Sequence, residues 1–153
     1  MRRKDKEIKE DDLIERIIKE AKVCRIGLSL NNRPYLIPMN FGYKNKTFYL
    51  HSYPTGKKIE IFKKNPYTCV EIDTKHEIKI SENPCEFSMN YYSLIAFGKA
   101  DFIEDIEEKK NALDIIVNHY AKGIYKEYPL SVIKKLTLIK IKIEKITGKK
   151  SGY

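Results

Sequence analysis

The stretch P-Y-L-I-P-M-N-F-G-Y-K-N-K-T-F-Y-L-H-S-Y-P-T-G-K-K-I-E-I-F-K-K-N-P, Pro34 to Pro66, reads as strand, tight turn, strand, loop and helix. Tyr35, Ile37, Met39 and Phe41 share one face of the first strand under the alternation of an extended chain. Lys44-Asn45-Lys46 makes the turn, because Asn tolerates the left-handed backbone that a hairpin needs. Thr47 to His51 is β-branched and aromatic, and forms the second strand. Pro54 and Gly56 mark a loop. A helix begins near Lys57 and stops before Asn65-Pro66, since Pro disfavours the α conformation in the residue before it. Ser52, Thr55, Gly56, Lys57 and Lys58 therefore gather where a helix starts, with unpaired N–H groups and the positive end of its dipole. An oxyanion is the natural guest there, a phosphate above all. Neither G-x-G-x-x-G nor G-x-x-x-x-G-K-[ST] occurs. On spacing alone, a surface turn leading into a solvated basic helix, with Ile59 and Phe62 buried, is the simpler reading.

The rest of the chain extends this pattern on both sides. Met1 to Glu10 is a charged arm without periodicity. Asp11 or Asp12 can cap a helix with an apolar stripe at Ile14, Ile17, Ile18 and Ala21. Val23 to Leu30 is a strand, and Asn31-Asn32 turns it into the central stretch. Beyond Pro66 come a strand over Tyr67 to Asp73, a short edge strand over Lys75 to Ile80, and a loop at Ser81 to Cys85. The run Phe87 to Glu104 is long for one strand; a bend is expected around Asn90 to Tyr92 and a bulge at Gly98. Asp105 and Glu108 fit a capping box opening a helix with Leu113, Ile116, Val117 and Tyr120 inside, ended by Lys122-Gly123. Tyr125 to Lys135 is a loop with one helical turn after Pro129, Leu136 to Ile146 is the last strand, and 147–153 is a basic tail. The fold class is mainly β: about six antiparallel strands in a Greek-key barrel with helices packed outside, one domain over residues 1–153.

At 153 residues the chain is one domain long and can build a full core without staples. Three cysteines, Cys24, Cys69 and Cys85, with no C-x-x-C, argue against a disulfide framework or a zinc site. A formal charge of +9 raises nucleic acid as a partner, yet the lysines are spread along the chain among glutamates and form no recognition motif. A lysine-rich surface that keeps the protein dissolved accounts for them. No apolar run approaches a membrane span, and no apolar segment follows Met1-Arg2-Arg3-Lys4, so a cytoplasmic location is expected.

Several motifs in order resemble the pyridoxamine 5'-phosphate oxidase-like split-barrel flavoproteins, in particular their Nim-type branch, the nitroimidazole resistance proteins. They are M-R-R-K-D-K-E-I (1–8), V-C-R-I-G (23–27), P-Y-L-I-P-M-N-F-G-Y (34–43), F-Y-L-H-S-Y-P-T-G-K-K (48–58) and N-P (65–66). C-E-F-S-M-N-Y-Y-S-L-I-A-F-G-K-A (85–100), E-D-I-E-E-K-K-N-A-L (104–113) and I-T-G-K-K (146–150) complete the set. Each is modest alone; together they span nearly the whole chain and overturn the bland reading of G-K-K. The resemblance implies a split β-barrel homodimer with FMN at the subunit interface. Pro38, Met39, Asn40 and Phe41 would line the isoalloxazine, mainly through backbone groups. His51 and Ser52 would lie near the ribityl chain and phosphate, Lys57 and Lys58 would hold the phosphate, and Tyr92 and Ser93 would come from the partner subunit. His51 would face the open side of the site, as the catalytic proton donor to a reduced nitro or carbonyl group. By contrast, His76 reads as a surface turn and His119 as helix packing.

Two functions follow from the resemblance. One is an FMN-dependent oxidoreductase that reduces a small electrophile such as a nitroaromatic, with electrons from NAD(P)H or a reduced carrier. The other is a flavin- or haem-binding module without turnover. Pyridoxamine phosphate oxidation is disfavoured, because the chain has no Trp and lacks the C-terminal W…R-L-x-P-x-R region.

Overall fold

The computed structural model describes residues 3–124 and 127–153; Met1 and Arg2 of the charged arm, and Tyr125 and Lys126 of the expected loop, lie outside the described residues. The elements are β1 (Glu7–Ile8), α1 (Asp11–Glu20), β2 (Cys24–Leu30), β3 (Arg33–Met39), β4 (Gly42–Lys44) and β5 (Thr47–Ser52). They continue with α2 (Lys57–Lys64), β6 (Tyr67–Lys79), β7 (Ser88–Ile103), α3 (Ile106–Tyr120), α4 (Leu130–Ile133) and β8 (Thr137–Ser151).

All strand pairs are antiparallel, and the sheet runs β3-β2-β6-β7-β8-β5-β4, with β1 paired to β8. Its two end strands, β3 and β4, are consecutive in the chain and joined only by Asn40-Phe41. The chain thus leaves one sheet edge and enters the other through a two-residue corner, which wraps the sheet into a split barrel without closing it. Phe41 is fully buried at this corner, against Phe48 and His119. Its N–H donates to the Tyr120 hydroxyl at 2.9 Å, which in turn donates to the Lys22 carbonyl at 3.0 Å. Gly42 is required beside it, because a Cβ there would lie 2.6 Å from the Ile116 backbone nitrogen of α3.

The structure therefore has eight strands where six were expected. One expected strand over the central stretch is broken at the corner into β3 and β4, and the charged arm adds β1, which pairs Glu7 and Ile8 with Lys149 and Gly148. The basic tail is strand as far as Ser151, because β1 and β7 both hydrogen-bond it. No break occurs at Asn90 to Tyr92; β7 is continuous, and the irregularity lies across from it, between Thr74 and Glu77 of β6, where Lys75 has a positive φ of 55°. The separate edge strand at Lys75 to Ile80 is the far half of β6. The bulge expected at Gly98 is present as a register shift between Phe97 and Gly98.

Both hairpin turns have the left-handed pairs that type I′ geometry needs: Asn31 and Asn32 at φ 51° and 59°, Asn45 and Lys46 at 51° and 58°. Asp105 caps α3, its carboxylate accepting from the Glu108 N–H at 2.8 Å. Neither Asp11 nor Asp12 caps α1; both sit in its first turn, where the helix dipole favours them. Ile14, Ile17, Ile18 and Ala21 bury against the barrel as their spacing demands.

β8 buries consecutive residues. Ile139 and Ile141 enter the barrel interior, while Leu138 packs on the other face with Ile103, Ala112, Leu113, Ile116 and Ile133. A strand covered on both faces loses simple alternation at those positions. Among the described residues no helix is long and apolar enough to cross a membrane.

Candidate functional site

β5 ends at His51 and Ser52, whose register partners on β8 are Leu138 and Thr137. His51 is exposed, whereas Ser52 is 5% exposed. The Ser52 hydroxyl is buried and has no hydrogen-bond partner among the described residues. An unpaired buried hydroxyl is rare in a finished protein interior and asks for a guest. Five residues on, α2 begins. Its N-cap is Gly56, at φ 114°, and no side chain caps the helix. The N–H groups of Ile59 and Glu60 already donate to the Gly56 carbonyl, at 3.0 and 3.2 Å. A Cβ at Gly56 would meet nothing within 4 Å, so the approach to this terminus is open.

The two lysines at this terminus diverge. Lys58 lines a cavity of about 470 Å³ together with His51, Ser52, Tyr53, Val132 and Lys135. Lys57 lies on the other side, its ammonium 5.4 Å from the centre of the Tyr35 ring, in a second cavity of about 420 Å³ that includes Arg33. The start of α2 thus sends one lysine toward each cavity, and Ser52 lines the cavity of Lys58. That arrangement can hold a phosphate and lead away from it along β3.

β3 is an end strand: β2 pairs one edge, and among the described residues no strand covers the other. Pro38 and Asn40 are exposed, while Met39 and Phe41 turn into the core. The side chains of Met39 and Phe41 cannot reach a ligand on the outer face, which leaves the exposed Pro38 and Asn40 and the backbone groups of this segment for any contact there.

Tyr92 and Ser93 point to opposite faces. Tyr92 is buried and stacks on Tyr153 with ring centroids 4.9 Å apart; Ser93 lies on the outward face with Ile95 and Phe97. Register carries that face across the sheet from Pro38 through Arg25 and Glu71 to Ile95. Three strand spacings, about 14 Å, separate Pro38 from Ile95 in one chain. Ser93 therefore does not meet Pro38 within the same molecule. Leu36, Ile95 and Phe97, at 66%, 39% and 49% exposure, make this face apolar, around a polar centre in which Arg25 binds Glu71 and Asp73. Burial, and then the neighbouring Asp73, push the Glu71 carboxyl up despite Arg25.

The other histidines are engaged elsewhere. His76 pairs with Asp73 at 2.5 Å, and His119 Nε2 lies 2.7 Å from the Ala21 carbonyl between Phe41 and Tyr120. Cys24 is buried, Cys69 half-buried and Cys85 exposed, all as free thiols. The residues missed from sequence are Tyr53, Val132, Lys135 and Leu136. The last three reach the site only because β8 pairs with β5 in a register that brings the α4 connection beside Ser52.

An antiparallel sheet that wraps round without closing, with helices packed outside it, defines a protein of the split-barrel class. The family model for pyridoxamine 5'-phosphate oxidase matches residues 10–150, and the chain belongs to that family. It is 40% identical to a candidate 5-nitroimidazole antibiotic resistance protein of Bacteroides thetaiotaomicron, over 94% of this chain and 85% of that one, with a TM-score of 0.84. A FAD and heme binding protein of Mycobacterium smegmatis shares the fold at a TM-score of 0.89, with 14% identity over 97% of this chain and 74% of that one. A FAD-binding protein of Mesorhizobium loti does so at 0.67, with 20% identity over 94% and 96%. Among curated proteins the chain has no match.

Proposed function

We propose that this chain is a flavoprotein oxidoreductase that holds FMN between two copies of itself and passes electrons to a small electrophile such as a nitroaromatic. The observation that carries the reading is the buried, unpartnered hydroxyl of Ser52 at the uncapped start of α2, with Lys57 and Lys58 on its flanks. A single helix terminus with this equipment suits one phosphate, which is the reason for naming FMN. The binding named for the Mycobacterium smegmatis and Mesorhizobium loti proteins supports a flavin of some kind.

In this reading the ring lies along the free edge of β3 at Pro38 to Phe41, held by backbone groups. The second copy covers the apolar outward face and brings Ser93, which its own chain keeps about three strands from Pro38. A bound flavin supplies a two-electron carrier between a pyridine nucleotide or reduced carrier and the acceptor. The protein's own part is to bind, orient and deliver protons. His51 is exposed at the end of β5 and opens on the adjacent cavity, where its imidazole can hand a proton to the acceptor. A nitro group that takes two electrons and two protons leaves as a nitroso group and water. A cytoplasmic setting belongs to the same reading, since an exposed Cys85 among three free thiols suits a reducing compartment.

The test is the spectrum of the purified protein and its response to reductant. Two flavin bands that bleach with NADH or NADPH and return on adding a nitroaromatic are expected. Lys57→Ala with Lys58→Ala removes two charged contacts of roughly 1.5–3 kcal/mol each and should empty the site. Undiminished FMN in that double variant sinks the placement. A Soret band without bleaching favours a haem- or flavin-holding module without turnover.

A further inference from the structure

β6 and β7 run on past the body of the sheet. β8 pairs with β7 only as far as Tyr91, opposite Ser151, and β2 pairs with β6 only at Cys69, Val70 and Glu71. Among the described residues, Glu77 to Lys79 and Ser88 to Asn90 therefore pair with each other alone, as a projecting two-stranded ribbon. Its own polar groups hold its shape. At the tip the Ser81 hydroxyl donates to Glu86 at 2.9 Å, and the Asn83 side chain accepts from the Cys85 N–H at 3.1 Å. At the root the Asn90 amide donates to Glu77 at 3.2 Å. One face is nevertheless apolar and uncovered. Ile78 and Met89 are register partners at 67% and 42% exposure, and Ile80 and Phe87, towards the tip, stand at 81% and 54%. A two-stranded ribbon is marginal in water by itself, and a continuous exposed apolar patch marks a contact surface.

The side on which this patch lies is fixed by β7. That strand alternates without a break, so Met89 points the same way as Tyr91, Ser93, Ile95 and Phe97. The patch therefore continues the outward apolar face, which the second copy covers in the reading above. A two-fold axis across the strands would lay β7 on β7 and keep the partner's Ser93 away from Pro38. An axis along the strands lays the partner's β7 over β3 with the strand direction preserved, and the two residues meet. Met89 then lies about 13 Å beyond Ser93, in the direction that runs from Pro38 to Asn40. The partner's ribbon is carried to the Asn40-Phe41 corner. Apolar surface is open there as well. Val23 directly precedes β2 and Asn40 directly follows β3, side by side beyond the last register pair, Cys24 with Met39. Val23 is 42% exposed, and so is 37% of Tyr120, whose hydroxyl is fixed between the Phe41 N–H and the Lys22 carbonyl.

We infer that the β6–β7 ribbon of each copy docks on the other copy at the Asn40-Phe41 corner, Ile78 and Met89 against Val23 and Tyr120, and so closes the partner's flavin site. The inference rests on the shared flavin site proposed above. A ring lying along Pro38 to Phe41 ends at this corner, and a ribbon seated there keeps water from that end. Each site then needs a cradle from one chain and a ribbon from the other.

The test is complementation between two defective variants. Ile78→Lys with Met89→Glu makes the patch charged but leaves an opposite-charge pair across the strands, which preserves the ribbon. Alone, this variant is expected to weaken the dimer in sedimentation, and FMN binding in fluorescence titration, by about tenfold or more, with its circular dichroism spectrum unchanged. Val23→Lys, on the receiving side, should do the same with the ribbon intact. Lys57→Ala with Lys58→Ala keeps the ribbon and loses the cradle. When the ribbon variant and the cradle variant are mixed, one chain supplies what the other lacks, and the mixture should bind more FMN than the two apart. A ribbon variant that dimerises and binds FMN like the wild type overturns the inference. So does a mixture that binds only the sum, which would assign the ribbon to its own chain's site. A wild type that binds no FMN, yet whose dimer still depends on Ile78 and Met89, would keep the docking and remove the flavin reading.

Discussion

Replacing Ser52 by Ala should move stability and flavin affinity in opposite directions. Ser52 is 5% exposed at the end of β5, and its hydroxyl has no partner among the described residues. A buried hydroxyl without a hydrogen bond costs about 1–3 kcal/mol in the ligand-free protein. Alanine removes that penalty and leaves a void of a single oxygen, so the ligand-free variant should gain about 1 kcal/mol. For a chain of this length that is a rise in Tm of about 2–4 °C. With FMN present the sign reverses. A hydroxyl donating to a phosphate oxygen is a charge-assisted bond of about 1.5–3 kcal/mol, and its loss should weaken binding by about 10- to 150-fold. Scanning calorimetry with and without FMN reads the first effect, and fluorescence-quenching titration of FMN reads the second. A ligand-free variant that melts lower than the wild type, or a titration superimposable on it, refutes the reasoning.

Three further outcomes follow from the same geometry. Gly42→Ala puts a Cβ 2.6 Å from the Ile116 backbone nitrogen, and with only backbone to give way it should cost about 3 kcal/mol, a fall in Tm of roughly 6–12 °C; an unchanged melt would place α3 elsewhere. Burial lowers the His119 pKa more than the nearby Ala21 carbonyl raises it. Below its ordinary value the unfolded chain takes up a proton that the fold resists, so stability is lost as pH falls from about 7 to 5. His119→Gln should flatten that part of the Tm–pH curve, and parallel curves would count against the assignment. Phe97→Glu sets a charge into the outward apolar face, and sedimentation should find a monomer that has lost its FMN; a flavin-loaded dimer in that variant would move the subunit interface to another surface.

Much of the fold was legible along the chain because it is written in local terms. The Asn31-Asn32 and Asn45-Lys46 turns need left-handed backbone, which Asn supplies cheaply, so both hairpins could be placed. Asp105, the α1 stripe and the stop at Asn65-Pro66 are likewise signals within a few residues. The break at Asn40-Phe41 could not be read that way. Alternation continues through it, and what bends the chain is α3, whose backbone crowds Gly42 and whose Tyr120 accepts from Phe41. The basic tail failed for a similar reason: Lys149 and Lys150 look solvated, yet β1 and β7 pair with them on either side.

The amino-acid sequence by itself determined most of the strands, both hairpins and the helix start at Lys57, because propensity and turn chemistry act over a few residues. The motifs in their order also pointed to the family. Only the tertiary structure decided how the site is shared out. It turned Met39, Phe41 and Tyr92 inward and Ser93 outward, and it set Lys57 and Lys58 on opposite flanks of one helix. It also brought Lys135 beside Ser52, 83 residues earlier in the chain. That last meeting depends on the register of β8 against β5, and register is set by the packing of both faces of a strand at once, which no short window of sequence contains.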